Sequence, residues 1–126
     1  EVVSKKLAAR KLSLLAYGSL GQGILTGKYS ENSKFEKTDR RSNDKYPNFH
    51  SDGLIRNLSI VEKMKDLNLH SSINLSEIAI NWVLQSIESS VIIAGIKNIK
   101  QLRDALSVNK WRLSHDEWQL LEKASR

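Results

Sequence analysis

Two short apolar runs, Leu12–Tyr17 and Val91–Ala94, stand out along the chain, and a glycine follows each of them. Runs of this length without polar alternation are typical of strands buried on both faces of a parallel sheet. Elsewhere apolar residues recur every three or four positions, which predicts helices at residues 1–10, at 54–68 and in three later segments. The resulting order is helix, strand, long loop, two helices, strand, helix, helix. Such strand–helix alternation predicts an α/β fold with parallel strands.

The three later helices each begin with a capping-box spacing, in which a capping side chain precedes Glu or Gln by three residues. The pairs are Asn74 with Glu77, Asn98 with Gln101, and Ser114 with Glu117. We expect these helices to turn their apolar residues inward. The expected inward sets are Ile78, Ala79, Trp82, Val83 and Ile87; Leu102, Ala105 and Leu106; and Trp118, Leu121 and Ala124.

Residues 30–53 are polar and are interrupted by Pro47 and Gly53. With so few apolar residues, this segment is not expected to bury itself. Loops of this length inside compact domains are usually functional or disordered, so both a functional loop and a plain surface insertion stay open.

Four of the six glycines, Gly18, Gly21, Gly23 and Gly27, fall within ten residues after the first predicted strand. Glycine permits positive φ angles and lets a ligand approach the backbone, so a glycine-rich turn at the carboxyl end of a strand can hold a phosphate. The spacing matches neither the Walker loop nor the G-x-G-x-x-G dinucleotide motif. A tight turn between packed elements is the alternative.

Composition and charge exclude some classes of function. The chain has 20 Lys and Arg against 14 Asp and Glu, and its net charge is +6. The basic residues are dispersed among acidic ones, which argues against nucleic acid, whereas a modest positive field suits a ligand with several phosphates. There is no cysteine, which fits a cytoplasmic location, and no apolar run of the ~20 residues that a membrane span needs. The three histidines, His50, His70 and His115, lack metal-ligand spacing and are expected to be solvated.

Three segments resemble the aldo-keto reductase family. AYGSLGQGILTGKY, at residues 16–29, resembles the segment that follows the family's seventh barrel strand, and VIIAGIKNIKQLRDAL, at residues 91–106, resembles the eighth strand and its helix. SEIAINWVLQ, at residues 76–85, is similar to the helix between them. The resemblance implies that residues 1–126 are one partial domain, the carboxyl-terminal fragment of a (β/α)8 TIM barrel. A length of 126 residues agrees, because such a barrel needs ~250.

The resemblance also implies a cofactor site for NADP(H). Tyr17 would stack on the nicotinamide ring, and Lys28 would approach the phosphates. Arg41 would come from a loop that covers the cofactor, with Arg40 as the competing assignment. The remaining implied cofactor residues are Gly18, Ser19, Leu20, Gly21 and Gly23 in the glycine loop, and Gly95, Lys97, Gln101 and Asp104 after the second strand. Lys97 would recognise the 2′-phosphate. Alanine at positions 94 and 105 departs from the family's usual proline and asparagine.

As a function, the resemblance implies part of an NADPH-dependent aldo-keto reductase that reduces small-molecule carbonyls to alcohols. This segment would supply the cofactor cradle and no catalytic residue, because no motif for the family's Asp, Tyr, Lys and His tetrad is present. Two alternatives stay open: an NADPH-binding interaction module like the potassium-channel β-subunits, and a structural fragment that binds nothing. The sequence leaves the substrate and the oligomeric state undetermined.

Overall fold

The computed structural model describes residues 2–67, 73–87 and 89–126, and it shows two strands and five α-helices there. In chain order they are α1 (Val2–Ala9), β1 (Leu14–Tyr17), α2 (Ser51–Leu67), α3 (Leu75–Ser86), β2 (Ser90–Ile93), α4 (Ile99–Ser107) and α5 (His115–Ala124). Short 3-10 turns lie at Gly21–Thr26, Arg40–Ser42, Pro47–Phe49 and Val108–Lys110. The predicted order of elements is confirmed. None of the helices in the described ranges is long and apolar enough to cross a bilayer.

The two strands pair in parallel, with Leu14 opposite Ser90 and Tyr17 opposite Ile93. One face of this small sheet is sheltered, and Ala16 is buried there. The other face carries Leu15, Tyr17, Val91 and Ile93, which are between 51% and 86% exposed. The expectation of strands buried on both faces is therefore wrong for the described residues, because no second layer of the chain covers that face.

The main core lies among helices α2, α3 and α5. Its buried members are Ile60, Met64, Ile78, Ala79, Leu113 and Leu121, with Trp82, Trp118 and Ala124 packed against them. The predicted inward faces of α3 and α5 largely agree with this core. On α4 the prediction is wrong, because Leu102 and Leu106 are 43% and 59% exposed. These two leucines have the spacing of a packed helix face, but no element among the described residues covers them.

All three predicted helix caps are confirmed. Asn74, Asn98 and Ser114 are N-cap residues whose side chains accept hydrogen bonds from the backbone N–H three residues later. Only Ser114 forms the reciprocal box, in which the Glu117 carboxylate accepts from the Ser114 backbone N–H. At Asn74, the Glu77 carboxylate instead accepts from the cap's own side-chain amide, at 2.8 Å.

A second cluster joins the glycine loop to the polar segment. Ile24, Phe49 and Leu54 are its buried members, and its partly buried members include Tyr29, Phe35 and Tyr46. Most of residues 30–50 are exposed, in agreement with the expectation that this segment does not bury itself. Its one buried residue, Phe49, packs with Ile24 and Leu54, which lie outside the segment. Helix α2 also begins at Ser51, three residues earlier than its apolar stripe indicated. Residues 30–50 are called the strap below.

Candidate functional site

A cavity of about 530 Å³ opens at the carboxyl ends of both strands. Its volume falls in the usual range for small-molecule sites, and its place agrees with the rule that ligands of parallel α/β folds bind at this edge. The glycine loop forms one wall, the strap a second, and the segment from β2 into α4 a third. Ser76 and Ile80 of α3 also border the cavity.

The structure brings most of the sequence-predicted site residues together around this cavity. Those that line it are Gly18, Ser19, Leu20, Gly23, Lys28, Arg41, Gly95, Lys97, Gln101 and Asp104. Tyr17 and Gly21 do not line it. The Tyr17 side chain is 86% exposed on the open face of the sheet. The role of each residue as a cofactor ligand stays a prediction.

Other lining residues were not proposed as site residues from the sequence. They are Gln22, Thr26, Asp39, Tyr46, Ser76, Ile80, Ile93 and Ile96, together with Ala94 and Ala105, which the sequence marked only as departures from a pattern. Arg40, the competing assignment for Arg41, also lines the cavity. Most of these residues neighbour a predicted site residue along the chain, and that adjacency was the only available signal. Ser76 and Ile80 carried none, because α3 reaches the cavity only through tertiary packing.

The glycine loop has the backbone geometry that its composition predicted. Gly18, Gly21, Gly23 and Gly27 all have positive φ angles. The N–H groups of Gly21 and Gly23 donate to the carbonyls of Gly18 and Leu20, at 2.8 and 2.9 Å, so they close the turn rather than face a ligand. A Cβ added at Gly23 would lie 3.2 Å from Cε of Lys28. The missing side chain at Gly23 thus lets the lysine cross the loop beside the cavity.

Ser19 carries an unpartnered buried hydroxyl at the cavity wall. Its residue is 8% exposed, and its Oγ makes no hydrogen bond with any residue that the structure describes. Such a group costs free energy unless a partner meets it. A ligand oxygen in the cavity would provide that partner, and a phosphate oxygen fits a hydroxyl donor.

The cavity has an excess of unpaired positive charge. Asp39 is paired with Arg41, and Asp104 accepts a hydrogen bond from Nζ of Lys100 at 2.8 Å. Arg41 holds the pKa of Asp39 well below its usual range, and Asp104 raises the pKa of Lys100. By contrast, Lys28, Arg40 and Lys97 have no carboxylate partner within the described ranges. The site therefore suits an anion better than a neutral ligand.

The start of α4 fixes the backbone that carries Lys97. Asn98 Oδ1 accepts from the Gln101 N–H at 2.9 Å, and Gln101 Oε1 accepts from the Lys97 N–H at 2.7 Å. These two bonds tie the residue before the cap to the first turn of the helix. The lysine side chain itself is exposed at the cavity rim, close to the positive end of the helix dipole.

Neither of the described histidines, His50 and His115, lines this cavity. His115 is exposed and stacks against Trp118, with 6.5 Å between ring centroids. His50 departs from the expectation of a solvated side chain, because it is half-buried and its Nε2 is buried without a partner among the described residues. His70 lies outside the described residues. Within the ranges described, no group of His, Asp and Glu side chains is placed to hold a metal ion.

Two parallel strands with a cavity at their carboxyl ends form an α/β arrangement, and ligands of α/β folds commonly bind at this edge. The comparison with known proteins is more specific. The chain matches the Aldo/keto reductase family over residues 1–126, and it belongs to that family.

Individual relatives agree with this assignment. The chain is 29% identical over 111 residues to aldo-keto reductase str7 of Strobilurus tenacellus, covering 86% of this chain and 32% of the relative. It is 27% identical over 112 residues to aldo-keto reductase yakc [NADP(+)] of Schizosaccharomyces pombe, covering 89% and 32%. It is 31% identical over 115 residues to the chloroplastic pyridoxal reductase of Arabidopsis thaliana, covering 91% and 29%.

A solved structure of the same family matches the fold. The glycerol dehydrogenase of Gluconobacter oxydans superimposes with a TM-score of 0.84 at 25% identity, over 98% of this chain and 38% of that one. The chain thus spans about a third of the length of the curated relatives that it matches.

Proposed function

We propose that this chain is the carboxyl-terminal part of a (β/α)8 barrel in an NADPH-dependent aldo-keto reductase, which reduces carbonyl compounds to alcohols. In this proposal the cavity holds the phosphate-bearing part of NADP(H). When bound, the cofactor supplies the hydride that the reduction needs. The observation that carries the proposal is the cavity itself, where the ends of both strands meet around Ser19, Lys28 and Lys97.

Two uncovered apolar surfaces support the placement in a barrel. The first is the open sheet face with Leu15, Tyr17, Val91 and Ile93, and the second is the α4 stripe with Ile99, Leu102 and Leu106. Contiguous apolar surfaces of this kind normally pack against another element. In a barrel the first would face the interior and the second would meet a neighbouring helix, so the remaining strands and helices would cover both.

The polar groups of the cavity support a phosphate ligand. A pyrophosphate would give the buried Ser19 hydroxyl an acceptor and would meet the unpaired charge of Lys28 and Arg40. Ala105, on α4, adds no hydrogen-bonding group to the cavity. We therefore expect recognition to rest on the phosphates more than on the adenine base.

In this proposal the carboxylates of the cavity do not supply acid–base chemistry. Asp39 and Asp104 are each held in an ion pair, and neither of the described histidines lines the cavity. The proton that accompanies hydride transfer would come from a tyrosine in the part of the barrel that this chain does not span. The chain's own contribution is to bind the cofactor and to orient it.

The experiment is a fluorescence titration of NADPH and NADH against the intact native protein and its Ser19→Ala variant. Ser59→Ala is the matched control, because Ser59 is exposed on α2 and bonds only within its own helix. We expect NADPH binding to the native protein and a loss of roughly 10- to 150-fold in Ser19→Ala, the effect of one charge-assisted hydrogen bond. Native protein that binds neither nucleotide would overturn the proposal.

A further inference from the structure

The strap presents two adjacent arginines to the cavity, and their surroundings differ. Arg41 Nε donates to Asp39 Oδ1 at 2.8 Å, its Nη2 pairs with the other Asp39 oxygen, and its Nη1 donates to the Tyr29 hydroxyl. Arg40 is exposed, lines the same cavity and has no carboxylate partner within the described residues. The two guanidinium groups are therefore not equivalent toward a ligand.

Arg41 is also enclosed by aromatic rings. Its Cζ lies 4.8 Å from the centroid of Phe35, 5.3 Å from that of Tyr29 and 6.0 Å from that of Phe49. The three rings contact one another edge to face, at centroid distances of 5.4 to 5.8 Å. A guanidinium on aromatic faces gains cation–π attraction, and its planar fork fits a carboxylate in a way that a lysine ammonium cannot.

This arrangement connects the strap to the other wall of the cavity. Phe49 packs with Ile24, which belongs to the glycine loop, and with Leu54 of α2. Asp39 is the N-cap of the Arg40–Ser42 turn and accepts from the Arg41 N–H at 3.0 Å. The Arg41 side chain thus links the turn that carries Arg40 to a cluster anchored on the glycine loop.

We infer that Arg41 is a positioning residue, which pins the strap through Asp39, Tyr29 and the ring triad, and that Arg40 is the cation through which the strap meets the bound anion. The inference reverses the assignment that the family resemblance implied for these two residues. Its part on Arg40 rests on the proposed function, whereas its part on Arg41 concerns the protein without ligand.

The two roles respond differently to a change from arginine to lysine. Lysine keeps the positive charge and loses the planar fork. Arg40→Lys should therefore keep NADPH affinity within ~2-fold, while Arg40→Gln should weaken it roughly 5- to 10-fold and reduce its dependence on salt. Arg41→Lys should weaken binding by a similar factor and leave the salt dependence unchanged, because it removes no charge.

Tyr29→Phe isolates the pinning contact, because Tyr29 does not line the cavity and phenylalanine keeps the ring. It removes only the hydroxyl that accepts from Arg41. We expect Tyr29→Phe to weaken NADPH binding in the same direction as Arg41→Lys, by a smaller factor of ~2- to 5-fold. Ser59→Ala serves again as the control, because it removes an exposed hydroxyl that lies outside the cavity and bonds only within α2.

Limited proteolysis without any nucleotide tests the pin independently. A Glu-specific protease can cut the strap after the exposed Glu31 and Glu36, which every variant keeps. When the substitutions are made in the intact protein, the Arg41→Lys variant should be cut several-fold faster than wild type. The Arg40→Lys and Arg40→Gln variants should be cut at the wild-type rate.

The outcomes separate the two proposals. Equal cutting of all variants would overturn the positioning role of Arg41, whether or not nucleotide binds. Wild-type protein that binds no NADPH would overturn the role of Arg40 together with the proposed function, while faster cutting of Arg41→Lys would still support the pin. Full affinity in Arg41→Lys with a loss in Arg40→Lys would refute the assignment of both residues.

Discussion

Replacement of Lys97 by alanine should separate NADPH from NADH. The two cofactors differ only by the 2′-phosphate, and Lys97 lies at the cavity rim beside the N-cap of α4. Its side chain has no carboxylate partner among the described residues, so its charge is available to a ligand. In the intact protein, Lys97→Ala should weaken NADPH binding and leave NADH binding nearly unchanged.

The size of the effect follows from the exposure of Lys97. Two unit charges about 4 Å apart in a nearly aqueous dielectric attract by ~1 kcal/mol, and a phosphate monoester carries close to two negative charges. The expected loss is thus ~1.5–2 kcal/mol, or roughly 10- to 30-fold in affinity. Because the site is solvent-accessible, high salt should reduce the difference between the cofactors.

Fluorescence titration of both cofactors at low and high salt measures this effect. Lys110→Ala is the matched control, because Lys110 is exposed and does not border the cavity. Equal losses for NADPH and NADH in Lys97→Ala would refute a 2′-phosphate contact. A change below ~2-fold for both would mean that Lys97 is a solvated lysine at a helix start.

Three further predictions concern stability and activity. Gly27→Ala should destabilise the intact protein by ~1–2 kcal/mol in chemical unfolding, because the residue has a positive φ and its new Cβ would displace the end of the Leu75 side chain. Gly18→Ala shares the positive φ but meets no atom within 4 Å, so it should cost no more than ~1 kcal/mol. Ser114→Ala should lower the free energy of unfolding by ~1 kcal/mol and Ser114→Asp should restore it, and equal stability of all three forms would mean that the cap is not stabilising. Residues 1–126 alone should oxidise NADPH with a reactive aldehyde no faster than a blank without protein, and measurable turnover would place catalytic groups in this chain.

Local signals carried most of what the sequence could predict. The caps at Asn74, Asn98 and Ser114 depend on side chains within three residues of the helix start, so the pattern contains the whole interaction. The glycine loop is similar, because a positive φ angle is a property of the residue and its turn. The order of the elements follows from the periodicity of the apolar residues. The glycine loop lies near Lys97 and Gln101 because parallel strands end at the same edge of the sheet.

Contacts between distant segments were the part that the pattern could not predict. The spacing of Leu102 and Leu106 predicts a buried helix face, but both side chains are exposed because no described element packs against them. The strap reads as polar, yet Phe35 and Phe49 are brought together with Tyr29 by the fold. The spacing of these aromatic residues was a signal in the sequence, but it has neither a helical nor a strand period, so periodicity alone does not find it.

Under the proposed function, the ion pairs around the cavity would explain why its carboxylates help to shape a binding site and do not transfer protons. A general acid must hold a proton near the working pH, and Asp39 fails because Arg41 keeps its pKa far below that range. Asp104 accepts a hydrogen bond from the Lys100 ammonium, one turn earlier on α4, at 2.8 Å. Because both acids are held in ion pairs, the charges of Lys28, Arg40 and Lys97 are left to act on a ligand. The arrangement that makes the cavity positive thus also holds its two carboxylates in ion pairs. Under the proposed function, cofactor binding and proton transfer would therefore draw on different parts of the barrel.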